Sequence, residues 1–208
     1  MEIKRFVSSR TFSCNVYVCQ KDQVSFIIDP GYFDNDLKNY LNNIKNLKFI
    51  LLTHCHFDHI MGINQLLEMF PDVKIYAFCD ELTNINDPKI NGSISFLNKV
   101  YRLNKTPFAL SEGKNNIDGI SFKVIKTPGH TFGSVCYYFK DDNVLFSGDF
   151  IFKASVGRTD LPTGSEFQLY QSINKFKSYA FKDDLMICPG HDEKFTYDKL
   201  KLINPFFN

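Results

Sequence analysis

The sequence predicts an α/β domain in which helices cover β-sheets. Two observations lead there. Short apolar runs typical of strands alternate along the chain with segments whose apolar residues recur at helical spacing. Their order is strands, helix, strand, helix, strand, then strands, helix and strand again, which is the pattern of layered sheets and helices. The 208 residues are 44% hydrophobic and 23% charged, which suits one domain over residues 1–208 with an ample core.

Each element follows from its local pattern. Residues 3–7, 12–19 and 24–28 read as strands, and Asp29-Pro30-Gly31 after them is a turn. Residues 36–44 place Leu37, Tyr40, Leu41 and Ile44 at helical spacing. Residues 49–52 form a short buried strand. Residues 60–70 read as a helix stopped by Pro71, and 73–78 as the next strand. Residues 80–111 carry one or two short helices and could line a substrate cleft. Residues 120–125, 134–139 and 144–146 are strands, the last two joined by a hairpin turn at Asp141-Asp142-Asn143. Residues 166–176 read as a helix with Leu169, Ile173 and Phe176 on one face and Ser165 as its N-cap. Residues 185–188 are the final strand.

Composition removes several function classes. The net charge is +1 and the lysines are spread out, so nothing drives the chain toward nucleic acid or an anionic membrane. No apolar run approaches the ~18–20 residues of a membrane span. Met1-Glu2-Ile3-Lys4-Arg5 lacks the apolar stretch of a signal peptide, so a cytoplasmic location is expected. The six cysteines contain no C-x-x-C pair and suit small buried groups better than disulfides.

The histidines carry the chemistry. There are five, and all fall into three motifs: Thr53-His54-Cys55-His56-Phe57-Asp58-His59, Thr127-Pro128-Gly129-His130 and Pro189-Gly190-His191. None is left for an ordinary surface or core role. Four buried strands deliver His54, His130, Asp149 and His191 just past their C-terminal ends, where active sites of α/β sheets collect. In extended backbone, side chains two apart point the same way, so His54 and His56 can share one metal. Asp58 and His59 lie where the loop turns into a helix and can face a second ion. Cys55, between the two histidines, should point the opposite way. Imidazoles with a few carboxylates suit zinc, iron or manganese rather than calcium or magnesium. Arg158 and Asp160 suit an ion pair that supports the site, and Tyr137 and Tyr138 suit packing.

Taken together, T-H-C-H-F-D-H-I-M-G, T-P-G-H-T-F-G-S, S-G-D and P-G-H resemble the metallo-β-lactamase superfamily across nearly the whole chain. Gly157-Arg158-Thr159-Asp160-Leu161-Pro162 and Asn204-Pro205-Phe206 are similar to its compact glyoxalase II-like (hydroxyacylglutathione hydrolase-like) members. The resemblance implies an αββα sandwich, two mixed sheets flanked by helices. It implies two divalent metal ions, zinc by preference: His54, His56 and His130 on the first, Asp58, His59 and His191 on the second, and Asp149 bridging. It further implies hydrolysis of thioesters of the S-lactoylglutathione type by metal-activated hydroxide, with Asp58 orienting the nucleophile. Two departures stand out. Only 17 residues follow His191, so the helical C-terminal domain that grips glutathione in longer relatives is not expected, and Asp192 stands where these proteins often have glycine.

Rival readings are a persulfide dioxygenase holding a single iron on His54, His130 and Asp149, and a non-enzymatic metal-binding module. A structural site is normally closed by four ligands, whereas seven with a bridging carboxylate suit an open, reactive centre. A nuclease is disfavoured by length and charge, and a secreted β-lactamase by the absent export signal. The expected partner is a small-molecule thioester, with no nucleic acid and no membrane.

Overall fold

A computed structural model describes residues 1–7 and 14–208. Two six-stranded mixed sheets lie face to face with helices on their outer sides. The first sheet contains, in spatial and chain order, β1 (Glu2–Val7), β2 (Asn15–Lys21), β3 (Val24–Ile28), β4 (Leu47–Leu52), β5 (Lys74–Phe78) and β6 (Phe108–Leu110). The second runs from β7 (Gly113–Ile117) through β8 (Ile120–Lys126), β9 (Val135–Phe139), β10 (Val144–Gly148) and β11 (Met186–Pro189) to β12 (Phe195–Thr196).

Strand polarity gathers the motif residues at one edge. β3, β4, β5 and β6 are mutually parallel, so their C-terminal ends share a side. β9 is antiparallel to both β8 and β10, and β11 is parallel to β10. β8, β10 and β11 therefore also end together. The two edges are tied across the sandwich. The Tyr137 hydroxyl donates to the Leu52 carbonyl at 2.6 Å, and the Tyr17 hydroxyl to the Pro189 carbonyl at 2.8 Å.

Side-chain alternation builds three apolar layers. Phe26 and Ile28 of β3, Phe49 and Leu51 of β4, and Val135, Tyr137 and Phe139 of β9 face between the sheets. Ile27, Ile50 and Leu52 face the outer helices of the first sheet, and Cys136 those of the second. Both faces are covered, so these strands read as continuous apolar runs rather than alternating ones. Across the inter-sheet layer, four rings stack in series: Phe49 on Phe26 at 4.8 Å, Phe26 on Phe139 at 5.4 Å, and Phe139 on Phe122 at 5.4 Å. The outer layers are closed by α1 (Asn35–Leu41), α2 (Phe57–Ile60) and α3 (Ile63–Met69) on one side, and by α5 (Glu166–Lys177) and α6 (Tyr197–Ile203) on the other.

The structure differs from the sequence expectation in identifiable places. The helix expected at 60–70 is two, broken at Met61–Gly62. The Gly62 amide donates to the Pro30 carbonyl, and a Cβ there would stand 2.4 Å from the Gly31 oxygen, so the chain kinks to pass the Asp29-Pro30-Gly31 turn. The turn at 141–143 closes through a 3-10 turn, Lys140–Asp142, with Asn143 left-handed at φ 54°. Segment 80–111 holds α4 (Ser93–Leu97) and ends in β6. β6, β7, β12 and α6 have no counterpart in the sequence reading. β7 is a polar edge strand, and α6 buries only Tyr197 and Leu200, so neither carries a strong apolar period. Of the expected strand 12–19, Phe12 and Ser13 lie outside the described residues. Among the described residues, no helix is long and apolar enough to cross a membrane.

Removing the central ring tests the stacked layer. Phe26→Ala should cost about 3–5 kcal/mol, because a fully buried phenylalanine leaves a cavity that rigid sheets cannot close. Denaturant unfolding of wild type and variant measures it, and a loss below about 1 kcal/mol would contradict the packing described.

Candidate metal centre

The four strand ends place the motifs around one point. β4 leads into Thr53 and His54, and α2 begins immediately after His56 and carries Asp58 and His59. β8 precedes His130, β10 runs into Asp149, and β11 into His191. Nitrogen atoms of His54, His56 and His130 lie within 4.8 Å of one another, and so do ligand atoms of Asp58, His59 and His191. Asp149 touches both groups. Its Oδ2 is 3.6 Å from His130 Nε2 and 3.4 Å from His191 Nε2, and its Oδ1 is 3.4 Å from His59 Nε2. All seven residues expected from the sequence are thus brought together.

Hydrogen bonding settles how the imidazoles present themselves. His130 Nδ1 faces the Arg158 carbonyl at 2.8 Å. A carbonyl only accepts, so Nδ1 carries the proton and Nε2 turns a lone pair inward. His59 Nδ1 donates in the same way to Asp29 Oδ2 at 3.0 Å. The Thr53 hydroxyl uses its proton on Asp29 Oδ2 at 2.6 Å. His54 Nδ1, 3.1 Å from that hydroxyl oxygen, must therefore be the donor to it. Its Nε2 is again a lone pair. Nε2 of His54, His56 and His59 and Oδ1 of Asp149 are buried with no hydrogen-bond partner. One such atom costs roughly 1–3 kcal/mol. His56 meets His130 through its other nitrogen, Nδ1, 2.9 Å from His130 Nε2, and with Nε2 of His54 and His59 and Oδ1 of Asp149 these atoms match the donor set of a divalent cation.

Charge points the same way. Burial, then neighbouring imidazoles, hold His54 well below the ordinary range and His56 at about 3, so both are neutral, as ligands must be. Burial opposes a charge on His191, yet Asp149 and Asp58 raise it to about 10. Burial likewise opposes a charge on His59, and nearby Cys14, Asp149, Asp58 and Asp29 overcome it. The negative potential that attracts protons here is the potential a metal ion would neutralise.

Two supporting residues escaped the sequence reading. Asp29, expected only as part of a turn, is buried at φ 49°. Its Oδ1 accepts the Thr53 amide at 2.7 Å, and its Oδ2 accepts Thr53 Oγ1 and His59 Nδ1. The available signal was a carboxylate ending a strand beside β4. Glu81 is buried, accepting from the Thr131 hydroxyl. Cys55 packs in the outer apolar layer and belongs to neither ligand group. Arg158 and Asp160 pair by two bonds of 2.7 and 2.6 Å at the exposed rim, and it is the Arg158 carbonyl that supports His130. Tyr137 is buried and Tyr138 packs on Phe181. Asp192 adopts φ 65°, a conformation glycine takes without strain and aspartate tolerates.

The groups open into a cavity of about 210 Å³ whose floor holds His56, Asp58, His130, Asp149 and His191. A family model described as the metallo-beta-lactamase superfamily matches residues 9–191. The chain belongs to the metallo-beta-lactamase superfamily. Within it, the chain is 33% identical to a probable metallo-hydrolase of Bacillus subtilis, covering 93% of this chain and 92% of that one. It is 31% identical to a hydroxyacylglutathione hydrolase of Francisella philomiragia, over 92% of this chain and 68% of that enzyme. The fold matches the crystal structure of BLEG-1 B3 metallo-beta-lactamase at a TM-score of 0.90 and 32% identity, covering both chains fully. It also matches TTHA1623, solved in a di-iron-bound form, at 0.83 and 28% identity, over 97% of this chain and 99% of that one. The two six-stranded sheets with outer helices are the αββα sandwich of the superfamily, and the clustered donors mark a metal-binding member of this metallo-hydrolase class.

Asp29→Asn keeps the shape and the left-handed backbone but replaces one acceptor by a donor. Metal affinity should fall about 10–100-fold, as expected when a group orienting a ligand is altered. Competition with a chromophoric chelator measures it. Gly190→Ala should also abolish tight binding, since the new Cβ would lie 2.2 Å from Asp149 Oδ1 and 2.6 Å from His59 Cε1.

Proposed function

We propose that this chain is a binuclear metal-dependent hydrolase of thioesters of the S-lactoylglutathione type. The observation that carries the reading is the pair of ligand groups joined by Asp149, with buried donor atoms of His54, His59 and Asp149 lacking a partner. His54, His56 and His130 would hold one ion, Asp58, His59 and His191 the other, and Asp149 both. Bound there, two divalent ions supply a Lewis acid for a carbonyl oxygen and lower the pKa of water toward ~7. Zinc is the proposed metal, and the di-iron form of TTHA1623 makes iron its main competitor.

The chain's own residues supply orientation. Asp58 is half-buried on the cavity floor with Oδ2 3.3 Å from His191 Nε2. Its carboxylate can ligate and still accept a hydrogen bond from the attacking water, which fixes the direction of attack. A thioester suits a site whose histidines are all committed to the ligand groups, because a thiol of pKa about 8.5 leaves as thiolate without a strong acid. The likeness to a hydroxyacylglutathione hydrolase supports this substrate class, while the chain spans 68% of that enzyme's length. The group Asp58, His59 and His191 favours a hydrolase over a single-iron dioxygenase, which would leave it unused. A second reading, β-lactam hydrolysis, is favoured by the likeness to BLEG-1.

Purified protein should contain two metal ions per chain and cleave S-lactoylglutathione or a related thioester. Nitrocefin turnover without thioester cleavage would select the second reading, and oxygen uptake with glutathione persulfide the dioxygenase. Asp58→Ala should retain the wild-type circular dichroism and lose at least about 100-fold in kcat/KM. A thioesterase rate equal to the parent's would refute the role given to Asp58. Chelation should abolish activity and leave the sandwich folded, whereas a purely structural site would unfold.

A further inference from the structure

One wall of the cavity is apolar and built in advance. Phe57 sits between His56 and Asp58 and is nearly fully buried. Its ring stacks on Phe96 of α4, with centroids 5.7 Å apart and planes 27° apart. Leu161 also borders the cavity, and both Phe96 and Leu161 are half-buried there. The wall is held by hydrogen bonds beneath it. The Phe57 amide donates to the Asn91 carbonyl at 2.8 Å. The fully buried Asn91 side chain donates to the Ile85 and Tyr101 carbonyls and accepts from the Ser93 amide. The Tyr101 hydroxyl closes the frame on the Ile60 carbonyl at 2.9 Å.

This arrangement bears on what the site can hold. Asn91 lines the cavity, but both its amide protons are spent within the wall, so it has no donor left for a ligand hydroxyl. A volume of about 210 Å³ is smaller than the ~300–1,000 Å³ of pockets that enclose a whole ligand. It suits one end of a thioester, with a bulky thiol left outside. Apolar rings that are already ordered gain from desolvating an apolar group without losing further side-chain entropy.

Keeping the thioesterase reading but departing from its lactoyl group, we propose that Phe57, Phe96 and Leu161 form an acyl subsite, and that the preferred substrates carry an apolar aliphatic or arylaliphatic acyl group rather than a short hydroxylated one. One methylene in an apolar pocket is worth about tenfold or more in discrimination.

The test uses metal-loaded protein and N-acetylcysteamine thioesters of acetyl, lactoyl, succinyl, hexanoyl and phenylacetyl groups. Hexanoyl and phenylacetyl should exceed lactoyl by at least about tenfold in kcat/KM. Phe96→Ala should cut that advantage to about threefold or less, chiefly through KM, while Phe96→Leu should keep most of it. A preference for lactoyl or succinyl overturns the proposal, as does an apolar preference that Phe96→Ala leaves intact. A protein that cleaves none of the five overturns the thioesterase reading instead. Calorimetric binding of phenylacetate against lactate then decides the subsite: tighter phenylacetate supports it and tighter lactate overturns it.

Discussion

The Asp29 carboxylate occupies the point where the first sheet meets the candidate metal centre. It accepts the amide and hydroxyl of Thr53 with one oxygen each, and the second oxygen also takes His59 Nδ1. Through the Thr53 hydroxyl it also fixes the proton of His54. One buried anion thus sets the tautomers of one imidazole from each ligand group. Remove its charge or its geometry, and two lone pairs lose their aim. The left-handed backbone at Asp29, with φ 49°, is the local cost of bringing that carboxylate under β4.

The second sheet answers with close backbone approach. Asp149 follows β10 and His191 follows β11, two parallel neighbours. Gly190 lets the Asp149 carboxylate and the His59 ring come nearer than any side chain would allow. The result is a buried set of acceptors whose mutual repulsion and lost solvation are compensated by protons or by cations. A bound metal that meets these donors only in the folded chain stabilises the sandwich by mass action, so the centre and the fold support each other.

Around this charged floor the cavity is asymmetric. The Arg158–Asp160 pair sits at its exposed rim, and an ordered aromatic wall stands beside Asp58. In the proposed reaction, orientation of water and placement of an acyl group would come from adjacent residues, Asp58 and Phe57. The clustered donors thus stand beside a wall that includes Asn91 and Phe96, from a segment without strong sequence periodicity.

Much of this was legible in the sequence, and the reason is local. Five histidines confined to three motifs at strand ends announce a metal centre, and all seven expected residues converge in the structure. Buried parallel strands announce themselves as apolar runs, and Ser165 caps α5 as expected, accepting from the Gln168 amide. Only the tertiary structure decided the rest, because the remaining features depend on partners distant in the chain. Gly62 breaks a helix on account of Pro30 and Gly31. Asp29 reads as a turn until Thr53 and His59 fold over it. Glu81 accepts from Thr131, 50 residues away along the chain. Phe96 becomes a wall of the site only because Asn91 is bonded beneath Phe57. Residue types determined what chemistry was available, and long-range hydrogen bonds determined where each atom points.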